Sequence, residues 1–216
     1  MNNSSVKNLK KIIIYIIFYI GLSGIIVYFN LNRYYLIYNG GLSFVAYILS
    51  NFAKIKKSVL ITILSFLATL AFYPNCIYMF TDFIHINTAN YYVIKSAGKV
   101  SYNMNYLNWI KLAVDTGMIT LSMVLAFETF INILKTIKCY GYKFAELIIL
   151  VLMSLITGVA LYIGRFLRFN SWDVFKLVEI VTKVMEDISI NDYYLIATFA
   201  GIHFFIILLF ANLKSE

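Results

Sequence analysis

Charge is what this chain has least of. Its 216 residues include 18 Lys and Arg and 10 Asp and Glu, so only 13% are charged, where a soluble globular domain carries about 25%. Proline occurs once and glycine ten times. That leaves no material for a linker or a low-complexity tail, and no internal repeat is found. Two cysteines, Cys76 and Cys139, are too few for a disulfide framework. The sequence has no Gly-x-Ser-x-Gly elbow, no phosphate-cradling P-loop and no dinucleotide fingerprint. Cys-x-x-Cys is missing as well.

Apolar residues fill the space. They make up 62% of the chain, against about 45–50% in soluble domains, and the mean hydropathy is +0.81. A chain this short and this apolar cannot cover itself with polar surface, so the surplus faces lipid. A spanning helix needs about 20 mostly apolar residues. Six segments qualify, at about 12–29, 35–53, 58–80, 110–134, 142–164 and 193–213. The first has the lysines of a signal peptide before it but is long and lacks a small-x-small cleavage site, so it reads as a retained span. The third passes through Pro74, which removes one backbone hydrogen bond and predicts a kink.

Lysine placement sets the expected orientation. Lys7, Lys10 and Lys11 precede the first span, Lys54, Lys56 and Lys57 follow the second, and Lys135, Lys138 and Lys143 join the fourth to the fifth. With six spans these groups and Lys214 share one side. The reading is one polytopic domain over residues 1–216, all-α, with both termini in the cytoplasm. Cys139 then lies inside and Cys76 near the outer surface, so the two cannot pair. The cytoplasmic loops are too short to offer nucleic acid a basic surface. Heavy use of Ile, Phe, Tyr, Asn and Lys matches A/T-rich coding, and the expected location is a bacterial cytoplasmic membrane.

The polar residues that invite chemistry gather on the expected outer side. One stretch runs Pro74-Asn75-Cys76-Ile77-Tyr78-Met79-Phe80-Thr81-Asp82-Phe83-Ile84-His85. There Asp82 and His85 are three apart and share a helical face. Asn and Tyr dominate the following residues, 87–108, and suit the headgroup layer. The second stretch is Gly164-Arg165-Phe166-Leu167-Arg168-Phe169-Asn170-Ser171-Trp172-Asp173, with two arginines at the same spacing. Behind it, Val174, Leu177, Val178, Val181, Val184, Met185 and Ile188 recur at helical spacing opposite charged residues. An amphipathic helix on the outer surface, between the fifth and sixth spans, is expected from that pattern.

These two blocks, Pro-Asn-x-x-Tyr-x-x-Thr-Asp-x-x-His and Gly-Arg-Phe-Leu-Arg-x-Asn-Ser-Trp-Asp, resemble the bacterial membrane family termed domain of unknown function 1361. Phe169 stands where that family more usually has Trp. The resemblance implies a fold and signature motifs, without an activity.

Each candidate residue has a plain reading beside a chemical one. Arg165 and Arg168 suit a helix C-terminus and lipid phosphates, or form a guanidinium clamp for phosphate or carboxylate. Asn170 or Ser171 caps the amphipathic helix, with Asp173 in its first turn and Trp172 at the interface. Asp82, His85 and Asp173 form a hydrogen-bonded fastening, an acid/base set, or three ligands for a divalent metal, the one cofactor class left open. Within the spans, Asp115 lies near the outer end and could join the outer cluster. Glu128 and Glu146 lie toward the inner side within reach of Lys135 or Lys143, and a neutral His203 bonds a neighbouring helix.

Three functions remain in view. The first is a binding protein for an anionic small molecule or lipid headgroup, using Asn75, Tyr78, Asp115, Arg165, Arg168, Asn170, Ser171 and Trp172. The second is a hydrolase-type enzyme on a lipid or envelope substrate, with Asp82, His85 and Asp173 catalytic. The third is a structural or accessory subunit. Beyond the bilayer and such a ligand, no partner is indicated.

Overall fold

The computed structural model describes residues 3–55, 58–94, 99–169, 173 and 176–214. Helix α1 covers Asn3–Tyr28, α2 Tyr34–Ile55, α3 Val59–Phe72 and α4 Pro74–Tyr78. Two 3-10 turns follow, Met79–His85 and Thr88–Asn90, and then strands β1 (Tyr92–Ile94) and β2 (Val100–Tyr102). Helices α5 (Tyr106–Thr136), α6 (Lys143–Arg165), α7 (Leu177–Asp187) and α8 (Ile190–Lys214) complete the order. Six segments are long and apolar enough to cross a membrane: Leu9–Tyr28, Tyr34–Lys54, Val59–His85, Tyr106–Thr136, Lys143–Arg165 and Ile190–Leu213. They coincide with the expected spans, and the chain is an all-α multi-pass membrane protein. Helices suit that setting because each satisfies its backbone polar groups internally.

Two compact units make up the chain, Met1–Gly41 with Met79–Ser122, and Leu42–Tyr78 with Met123–Glu216. In the first, α1 and α2 are joined by a turn in which Asn30 and Asn32 take φ of 47° and 56°. Asparagine enters this left-handed region more readily than most residues. Glycines let α1 close in on its neighbours. The Tyr19 ring lies where a Cβ on Gly40 would meet it at 3.0 Å, and Leu22 stands 3.1 Å from a Cβ placed on Gly117. The Tyr19 hydroxyl donates to the Ile37 carbonyl at 2.7 Å. The segment expected only to suit the headgroups carries a short antiparallel hairpin, pairing Tyr92 with Tyr102 and Ile94 with Val100. Trp109 packs on Tyr91 with ring centres 5.5 Å apart and donates its indole N–H to the Asn103 carbonyl at 2.8 Å.

In the second unit, Pro74 does more than kink a helix. It ends α3 at Phe72 and becomes the first residue of α4, where its missing N–H would have had no helical partner anyway. The helical path then continues as a 3-10 turn as far as His85, past the expected end near Phe80. Tyr73, Cys76 and Ile77 are buried in a core with Phe127, Phe130, Leu161 and Ile207. Helices α6 and α8 pack tightly at Gly158, where a Cβ would sit 2.5 Å from the Ile196 carbonyl and 3.0 Å from the Ala200 side chain. Small residues at such crossings are what allow helices in lipid to approach, because hydrophobic association is absent there.

Gly158→Ala therefore forces backbone apart rather than filling space. It is expected to destabilise the folded protein by about 1–3 kcal/mol, measured as a drop in the unfolding midpoint in detergent. The exposed glycines Gly21 and Gly24, where an added Cβ would meet no atom within 4 Å, serve as controls that tolerate alanine.

Candidate functional site

The 3-10 turn Met79–His85 fixes the first motif's polar pair. With three residues per turn, positions i and i+3 eclipse, so Asp82 and His85 stand on one edge. The Asp82 carboxylate is buried, its side chain 2% exposed, while the His85 side chain is 45% exposed. Nε2 of His85 lies 3.9 Å from Oδ1 of Asp82. The other carboxylate oxygen accepts a hydrogen bond from Nδ2 of Asn39 on α2 at 3.1 Å. The Tyr35 ring meets the imidazole edge-on, centroids 5.1 Å apart.

Arg33 also stands beside Tyr35, its guanidinium carbon 6.0 Å from the same ring centre. Asp115 of α5 is its partner, and the geometry is unusual. Nε of Arg33 donates to both carboxylate oxygens, at 3.0 and 3.2 Å. A carboxylate more often takes a guanidinium through two parallel N–H groups. Here one N–H serves both oxygens, so the four N–H bonds on the terminal nitrogens have no acceptor among the described residues. Tyr91 lies near this pair. Partial burial pushes its phenol above the ordinary range, and the Asp115 carboxylate adds to the rise while Arg33 opposes it.

The second motif lies in the other compact unit. Helix α6 ends at Arg165, with Phe166 as its C-cap, and Arg168 takes φ of 61°. The helical spacing that would put both guanidinium groups on one face is thus broken between them. The Arg165 guanidinium lies over the Tyr78 ring at 4.5 Å, a cation–π contact. Asp173, expected in the first turn of the amphipathic helix, has among its contacts an ion pair with Lys176 at 3.4 Å. Asn75 donates to the Phe72 carbonyl at 2.9 Å. Asn170, Ser171 and Trp172 lie outside the described residues. The amphipathic helix itself begins at Leu177 with Lys176 in the N-cap position, so its cap lies well past Asn170 and Ser171. Val178 and Val181 are exposed.

Other ionisable candidates hold local roles. Glu146 accepts from the Gly141 backbone N–H at 2.7 Å instead of meeting a lysine, and Lys135 sits over the Tyr140 ring. His203 is fully buried and bonded on both ring nitrogens, Nε2 to the Tyr73 hydroxyl at 2.6 Å and Nδ1 to Ser154 Oγ at 2.7 Å. Ser154 donates its one proton to the Leu150 carbonyl at 2.7 Å. Nδ1 must then carry the proton and Nε2 accept from Tyr73, which makes His203 neutral and structural. Among the described residues, no three His, Cys, Asp or Glu side chains gather closely enough to hold a metal ion.

Sequence reasoning reaches Asp115 and passes over Arg33, Tyr35 and Asn39. In the sequence Arg33 is only a loop charge. A position one turn outside a span, on the side opposite the lysine clusters, is the available signal. Arg33→Ala is expected to cost about 3 kcal/mol, because it leaves the Asp115 carboxylate buried without its partner. Removing both charges, in Arg33→Ala with Asp115→Ala, recovers part of that loss in a double-mutant cycle read by unfolding in detergent.

No curated protein and no solved structure matches this chain. A model of one family, a protein of unknown function (DUF1361), matches residues 38–209. That stretch takes in both motifs and runs from within the second spanning segment to within the sixth, and the chain belongs to this family.

Proposed function

We propose that this protein binds an anionic small molecule or lipid headgroup at a polar site on the outer face of the membrane, held by Arg33 and flanked by His85. The carrying observation is the one-sided hold on Arg33. Asp115 takes Nε alone, which leaves the terminal fork for a ligand oxygen pair, the geometry in which guanidinium recognises phosphate and carboxylate. Side-chain exposure of 17% for Arg33 and 4% for Asp115 gives a fork that solvent reaches above a carboxylate it does not. The guanidinium and the imidazole both lie near the Tyr35 ring, at 6.0 and 5.1 Å from its centre. The outer location rests on the lysine clusters, which lie at the other ends of these helices.

Arg165 and Arg168 fit a supporting role, engaging lipid phosphates where α6 ends. The hydrolase reading requires an acid and a base within reach of one reacting atom, and it makes no use of the open fork on Arg33. Binding is therefore the better account.

The test is a thermal-shift titration of the detergent-purified protein with inorganic phosphate, sulfate and dihexanoyl phosphatidic acid. A ligand at about 100 times its Kd stabilises the folded state by about 2.7 kcal/mol, well above detection. Arg33→Lys keeps a cation against Asp115 and removes the fork. At least one anion should stabilise the wild type, and Arg33→Lys should weaken that anion's binding at least tenfold. Failure of all three to stabilise the wild type, or an unchanged affinity in Arg33→Lys, overturns the reading.

A further inference from the structure

The hairpin of β1 and β2 shows more apolar surface than a segment between spanning helices should offer to water. Successive side chains of a strand point to opposite faces, and directly paired residues of two strands share a face. The register pairs Tyr92 with Tyr102 and Ile94 with Val100. These four make one face of the hairpin, and Val93 and Ser101 belong to the other. All four are exposed, Ile94 by 78% and Val100 by 63%. The apolar face of an antiparallel sheet ordinarily packs on a core. This one lies open.

Two strands of three residues each do not hold such a face in water by themselves. An isolated hairpin is marginal at best unless a third strand or a helix lies against it. The base of this hairpin is fixed instead to the start of α5. Nδ2 of Asn103 and Nδ2 of Asn108 both donate to the Asn90 carbonyl, at 3.0 and 2.8 Å. The Trp109 indole holds the Asn103 carbonyl at 2.8 Å.

These bonds set the depth at which the hairpin sits. Helix α5 has 31 residues, which makes it about 46 Å long. A bilayer with its headgroups is about 40–45 Å thick, so the first turn of α5 falls in the headgroup layer. The rings of Trp109 and Tyr102 are 6.4 Å apart, and those of Tyr102 and Tyr92 are 5.5 Å apart. The apolar face therefore continues from a spanning helix through two tyrosines to Ile94 and Val100. Tyr and Trp favour this level of a membrane, where an apolar ring and a polar edge are both accommodated. Lys99, exposed beside β2, adds a cation suited to lipid phosphate.

We propose that the hairpin lies along the bilayer surface at the start of α5. Its face of Tyr92, Ile94, Val100 and Tyr102 sits in the boundary between headgroups and acyl chains, and the partner is the lipid surface itself. Amphipathic helices use the same physics, sinking one face about 5–10 Å into that boundary. Here the lipid supplies the layer that a two-stranded sheet lacks. The proposal does not depend on anion binding at Arg33.

The test is spin labelling of the full chain in nanodiscs of phosphatidylcholine and phosphatidylglycerol. Cys139→Ser removes the accessible thiol, and Cys76, which is fully buried, stays. Val93→Cys, Ile94→Cys, Val100→Cys and Ser101→Cys are then labelled one at a time. Power saturation compares collisions with oxygen, which concentrates among acyl chains, and with a water-soluble nickel chelate. The oxygen-to-nickel ratio at 94 and 100 should exceed that at 93 and 101 several-fold. An unlabelled pair gives a second readout. Ile94→Asp should speed amide exchange across the hairpin several-fold in nanodiscs, and Ser101→Asp should leave it unchanged.

High nickel access at all four positions means that the hairpin stands in water, and overturns the proposal. Low access to both reagents at 94 and 100, with spin–spin broadening, assigns the face to a second copy of the chain and overturns it as well. The same low access without broadening assigns it to protein of this chain, with the same consequence. Exchange unchanged by Ile94→Asp also contradicts a seat in lipid.

Discussion

An aspartate inside a spanning helix needs a partner, and much of the first unit is arranged to give Asp115 one. An unpaired charge at mid-bilayer costs about 2.5–3.5 kcal/mol on insertion scales. Arg33 pairs with Asp115 from the loop before α2. To reach it, the chain turns sharply after α1 through two left-handed asparagines, which bring Arg33 back toward α5. Glycines at positions 40 and 117 let α1 lie close enough for the turn to be short. The arginine's placement also decides what is left over. Since Nε satisfies the carboxylate alone, the terminal nitrogens of the same side chain are left over for the proposed ligand.

The same constraint shapes the second unit with different chemistry. His203 bonds to residues in two other helical segments, Tyr73 and Ser154, and the serine's own bond to Leu150 fixes the direction of every proton in the chain of contacts. Lys54 donates to Asn132 at 3.0 Å and to Asn51 at 3.2 Å, while Asn132 donates onward to Ser50 at 2.9 Å. Networks of this kind are stable only when each member is satisfied. Neutral partners suit the low dielectric, because they avoid the desolvation of a second charge.

Most of the architecture was legible in the sequence because a span announces itself through composition over about 20 residues. The six segments and the amphipathic helix could be read that way. What could not be read were pairings between residues distant in the chain. Arg33 meets Asp115 across 82 positions, and Asn39 meets Asp82 across 43; no periodicity encodes either. The hairpin at 92–102 was invisible for another reason. Its strands are three residues long, too short for alternation to register. Asp82 and His85 were recognisable as a pair because their spacing works in an α-helix and a 3-10 turn alike. Arg165 and Arg168 had the same spacing, and there the helix ends between them.

Tyr78 shows why both motifs carry small and aromatic residues beside their charges. A Cβ on Gly164 would meet the Tyr78 ring at 3.3 Å, so a larger residue there would push the ring aside. That ring is the surface on which the Arg165 guanidinium rests. Glycine, tyrosine and arginine therefore form one unit drawn from both motifs, in which the absence of a side chain positions an aromatic face and the face positions a cation. The glycine's role is to admit the ring, and the proline's is to start the short helix that presents it. Polar residues in these motifs are thus placed by apolar packing, as a membrane setting demands: the ring gives the plane of the arginine something to lie against.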